Sequence, residues 1–109
     1  MKQPIMNASI ASAIKKYLQY NYTDGYDRFN YTNAYIGKTY RFVPVNIGND
    51  VYEFCVCPIK SYETVVAFID FQTDTVYECG KYSRTTSKQV SQISSRHTSR
   101  KLIEGIGWF

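Results

Sequence analysis

The chain has 109 residues, 44% of them hydrophobic and 20% charged, with a net charge of +4. That length holds one domain and one hydrophobic core, and the apolar content is too high for a disordered chain. The longest apolar run, Val65-Val66-Ala67-Phe68-Ile69, is far short of the ~20 residues a membrane-spanning helix requires.

Three further features bound the reading. Eleven Tyr and six Phe stand against one Trp, and Tyr suits half-buried surfaces and contact patches because its ring packs while its hydroxyl stays wet. Three cysteines, an odd number, fit a reducing compartment better than a disulfide framework. In Met1 to Lys16 the apolar residues are broken by Asn7, Ser9 and Ser12, unlike a signal peptide. The expected location is intracellular.

Charge is segregated along the chain. Residues 1–23 hold three Lys and no acid, and residues 24–78 hold eight acids against Arg28, Lys38, Arg41 and Lys60. Residues 81–101 hold Lys81, Arg84, Lys88, Arg96, Arg100 and Lys101, with His97 and no acid. Such a distribution builds a one-sided field that attracts anionic partners.

In chain order, Ile10, Ala13, Ile14, Tyr17 and Leu18 recur at helical spacing. With Asn7 as N-cap they predict a helix from Ala8 to Tyr20. Residues 20–40 interleave Tyr20, Tyr22, Tyr26, Tyr31, Tyr35 and Tyr40 with Asn, Asp and Gly, which predicts loops or short, irregular strands. The β-branched and aromatic runs Tyr40 to Val45, Val51 to Cys57, Thr64 to Phe71 and Thr75 to Cys79 predict a four-stranded antiparallel meander. Ser87 caps a second helix beginning at Lys88, with Val90, Ile93 and His97 on one side. It weakens across Ser94 to Ser99, where helix propensity falls. The expected fold is a single α+β domain of about four strands, flanked by an N-terminal and a C-terminal helix.

Strand parity, with Glu53, Asp70 and Glu78 turned outward, points Tyr52, Phe54, Val56, Ala67, Ile69, Phe71, Tyr77 and Cys79 to the main core. The other face then carries Cys55, Cys57, Val66, Phe68 and Val76. A second element covering that face is the expected arrangement, and a contact surface is the alternative.

The stretch Lys81, Tyr82, Arg84, Thr85, Thr86, Ser87 and Lys88 places cations and hydroxyls just before a helix N-terminus, a composition suited to phosphate. Gln92 and Arg96 continue one helical face from Lys88, and Arg100 and Lys101 complete the basic segment. These residues are the candidates for nucleic-acid or acidic-partner binding; a capped helix with a solvated polar face is the plainer reading. Tyr22, Tyr26, Tyr31 and Tyr35 are candidates for a protein contact, against a role as half-buried packing.

Cys55, Cys57, Cys79 and His97 have the composition of a zinc site. However, Cys55-x-Cys57 is not a knuckle spacing, and Cys79 should face away from it. No Ser-His-Asp order, phosphate-loop glycine pattern or His-Glu-x-x-His pattern is present, and His97 sits among cations. No catalytic residue, metal or cofactor is expected.

The segment Tyr62 to Ile93 resembles a group of small uncharacterised bacteriophage proteins that end in a β-hairpin, a Lys-Tyr-Ser-x-Thr-Thr-Ser-Lys run and a short helix. The matching residues are Thr64-Val65-Val66-Ala67, Thr75-Val76-Tyr77 and Lys81 to Lys88, about a third of the chain. Such proteins commonly have His after the Ser-Lys pair where Gln89 stands here, so no role for that histidine carries over. The resemblance implies a phage origin and a non-catalytic inhibitor or modulator of a bacterial host or defence complex. The implied partner is a protein or ribonucleoprotein, and the implied mode is anti-CRISPR-like. A DNA- or RNA-binding module and an oligomerising structural phage protein stand as alternatives.

Overall fold

A computed structural model describes residues 4–29, 33–79, 90, 91, 93 and 99–103. Helix α1 spans Ala8–Asn21, and the Asn7 side chain accepts a hydrogen bond of 2.9 Å from the Ile10 amide. That bond satisfies one of the amides that a helix start leaves without an intrahelical partner. The buried face is Ile10, Ala11, Ile14, Lys15 and Leu18. It is turned slightly from the expected stripe: Ala13 is exposed, Tyr17 is half-buried, and the aliphatic stem of Lys15 lies in the interface instead.

Among the described residues seven strands follow, all in one sheet. They are β1 (Tyr26–Arg28), β2 (Ala34–Gly37), β3 (Arg41–Ile47), β4 (Asp50–Ser61), β5 (Thr64–Asp70), β6 (Thr75–Cys79) and β7 (Ser99–Ile103). The path is β1-β2-β4-β5-β6-β7, with β3 paired to β4. The predicted meander is present as β3 to β6, every pairing antiparallel. The Tyr-rich segment supplies two short strands, β1 and β2, so the sheet is larger than the four strands expected.

The expected order of helix, sheet, helix is corrected at the C-terminal end. Val90, Ser91 and Ile93 carry helical backbone, but most of the helix predicted from Lys88 lies outside the described residues, and among those residues no C-terminal helix is bounded. The last described element is β7, which runs parallel to β6 from Thr75↔Ser99 to Cys79↔Ile103. A parallel neighbour needs a crossover connection of about a dozen residues or more. Local propensity around Ser99 does not reveal such a non-local pairing.

The twelve-residue β4 is the spine. Its first half pairs with β3, and its second half lies between β2 and β5. Two prolines fit this pattern. The Phe71 amide donates to the Cys55 carbonyl at 2.9 Å, so odd-numbered residues of this half of β4 bond toward β5 and even-numbered ones toward β3. Pro44 lies opposite Glu53, at a position that exchanges no hydrogen bond with β4, so its missing N–H costs the ladder nothing. Pro58 lies at the break between β3 and β2. There Gly37 packs so close that a Cβ would stand 2.6 Å from the Tyr22 hydroxyl and 2.8 Å from Pro58 Cδ.

A β-bulge reverses part of the predicted facing. Lys60 pairs with Val65 and Ile59 with Ala67, leaving Val66 as the extra residue of β5. Beyond it the parity inverts, so Phe68 joins the α1 side while Ala67 and Ile69 face away. The α1-side core contains Ile10, Ile14, Leu18, Val43, Val45, Phe54, Val56, Phe68, Tyr77 and Cys79. The opposite core contains Phe29, Ala34, Cys57, Ile59, Ile69 and Val76, covered by Val90 and Ile93. A second element therefore covers that face, as expected. The outward placement of Asp70 and Glu78 is overturned, since both are buried, and so is the inward placement of Phe71, which is exposed.

Candidate contact surface

Two groups of aromatic residues emerge, and they differ in exposure. The first gathers Tyr26 and Tyr35 around Lys60, with Tyr22 packed on Tyr26. The Tyr22 and Tyr26 ring centroids are 5.2 Å apart. Lys60 Nζ lies 4.2 Å from the Tyr26 centroid and 5.2 Å from that of Tyr35, a cation–π arrangement. Glu63 holds the same ammonium at 3.9 Å. The Tyr22 hydroxyl accepts from the Thr39 amide at 2.9 Å and donates to the Thr39 carbonyl at 2.8 Å. Thr39 Oγ1 in turn donates to the Asp24 carboxylate, which pairs with Arg41 at 3.5 Å.

Burial, reinforced by the nearby Tyr22, Cys57 and Glu63, pushes the Tyr26 hydroxyl up to about 12. These three tyrosines are half-buried; Tyr22 packs on Tyr26, and Tyr26 and Tyr35 pack on Lys60. The cluster pins β1 and β2 to the spine. Tyr31, the fourth of the predicted contact residues, lies outside the described set.

The second group lies on the arm formed by β3 and the first half of β4. Its inner face, with Val43, Val45 and Phe54, packs against α1. Because β5 stops at Asp70, which pairs with Val56, the arm extends past the end of β5. On its outer face Phe42 stands opposite Cys55, and Phe71 flanks Cys55 from the other side through its amide bond. Phe42 is 65% exposed, Phe71 64% and Val51, on the same face of β4, 63%. Tyr40 packs edge-on against Phe71, with centroids 5.3 Å apart and planes at 71°.

Phe42, Phe71 and Tyr40 together expose roughly 300 Å² of surface, at the low end of the size range where the largest patch on a monomeric protein is often functional. Burial pushes the Tyr40 hydroxyl up to about 12, with Cys57, Asp74, Cys55 and Asp70 adding to the effect. At neutral pH the patch therefore presents a neutral phenol beside two phenylalanines.

The sequence singled out neither Phe42 nor Phe71 as surface residues. Run length gave no signal, because the apolar run Val51 to Cys57 is no longer than Thr64 to Phe71, whereas β4 spans Asp50–Ser61 in the fold.

Of the basic candidates, Lys81, Tyr82, Arg84, Thr85, Thr86, Ser87, Lys88, Gln92 and Arg96 lie outside the described residues. Arg100 and Lys101 fall in β7, beside Val76 and Tyr77 of β6. His97 also lies outside. Cys57 and Cys79 belong to cores on opposite faces of the sheet, which separates two members of the Cys₃His set. Burial raises both thiols to about 12, far from the thiolate state that binds metal or attacks substrates. Among the described residues, no three His, Cys, Asp or Glu side chains group as metal ligands, and no helix is long and apolar enough to cross a membrane.

No curated protein and no solved structure matches the chain. One family model does, over residues 27–107, from β1 past the end of β7. That span is well over half of the chain, and the protein belongs to the family of unknown function DUF8033.

Proposed function

We propose that the protein is a small accessory binding protein of phage type that acts by contact, without catalysis, on a bacterial host or defence protein or ribonucleoprotein. The observation that carries the reading is the row of exposed aromatic side chains at the base of the β3–β4 arm, Phe42 on β3 and Phe71 just past β5 on either side of Cys55, with Tyr40 packed on Phe71. Large aromatic side chains left in water are costly unless a partner removes them from it. They also dominate the energetics of protein interfaces where they are buried at the centre of a contact. The arm's inner face is anchored to α1, so the outer face can present these rings on a rigid support. The resemblance of Tyr62 to Ile93 to small bacteriophage proteins supports the choice of a bacterial partner.

The test compares wild-type protein with the double variant Phe42→Ser, Phe71→Ser as bait in bacterial lysate. Captured components are then bound directly by purified protein at low and moderate salt. A protein partner lost by the double variant supports the reading. Binding that persists in the double variant, weakens steeply with salt and disappears when Arg84, Lys88, Arg96 and Arg100 are changed to Ala would instead support the nucleic-acid alternative.

A further inference from the structure

We draw no further inference here: the strongest candidate, the exposed aromatic face of the β3–β4 arm, belongs to the site already described, and nothing in the structure shows what covers it.

Discussion

Replacing Lys15 by Met should stabilise the protein. Lys15 is 0% exposed, on the face of α1 that packs on the sheet, and desolvation holds its ammonium below the usual lysine range, only partly opposed by Cys79. Burying a charge costs several kcal/mol before compensation. Exchanging a buried ionic group for a hydrophobe of similar volume is often neutral or stabilising by about 1–4 kcal/mol. Methionine keeps most of the buried stem and adapts to irregular gaps, so a gain of about 1–3 kcal/mol is expected at pH 7.

The pH dependence provides a second readout. Below the folded pKa both states carry the proton, and this group adds no pH dependence to stability. Between the folded pKa and the unfolded value of 10.5, the unfolded chain binds more protons, so wild-type stability gains a rising contribution as pH rises through that window. Lys15→Met removes this contribution. Urea denaturation followed by far-UV circular dichroism at pH 7 and 9.5 measures both effects, provided the m value is unchanged. Lys15→Ala serves as a contrast, because it leaves a cavity and should lose about 2–4 kcal/mol. A Met variant less stable than wild type by more than about 1 kcal/mol, with the pH slope intact, would show that the ammonium is a net stabiliser.

Other positions give sharper local tests. Gly37→Ala should cost about 1–3 kcal/mol, because its Cβ would meet Tyr22 and Pro58 at less than 3 Å; an unchanged melting temperature would contradict the close approach. Asn7→Ala should lose about 1 kcal/mol through the missing cap to Ile10, read by thermal melting. Asp70 is pushed up by burial, against hydrogen bonds from the Gln72 and Thr73 amides. Its contribution is therefore complete below the unfolded carboxylate pKa and is lost as pH rises through the folded one. Asp70→Asn, which can still accept from the Gln72 amide, should be at least as stable as wild type at pH 7 and should lack this fall. A neutral-pH loss beyond about 1 kcal/mol would argue that the ionised carboxylate is needed.

Sequence reasoning succeeded where the physics is local. The helix follows from its apolar spacing and from Asn7, whose cap is made within three residues. The meander β3 to β6 follows from β-branched runs separated by turn formers, and the paired strands are close in sequence. It failed where distant partners decide. The single extra residue Val66 inverted the facing of Phe68 and Ile69, and nothing in the run Val65 to Ile69 marks which residue bulges. Carboxylates usually face water, which predicts Asp70 and Glu78 outward, yet both are buried in the sheet. Likewise, β7 pairs with β6 across the connection from residue 80 to 98, and no local pattern specifies that neighbour.

The contact surface was hidden for a related reason. Phe42 and Phe71 are ordinary strand residues by composition, and their exposure follows from lying on the sheet face outside the core that Val90 and Ile93 join. The number of tyrosines in residues 20–40 is conspicuous, and in the fold Tyr26 and Tyr35 pack around Lys60 with Tyr22 against Tyr26.

The central claim, that the outer face of the β3–β4 arm is the working surface, is tested most directly by partner capture with a folded double variant. Phe42→Ser, Phe71→Ser should melt within a few degrees of wild type, because both side chains are about two-thirds exposed. It should lose direct binding to the bacterial protein that wild type retains, by at least tenfold in Kd, corresponding to about 1.4 kcal/mol. Equal affinity of the two proteins for that partner would contradict the account.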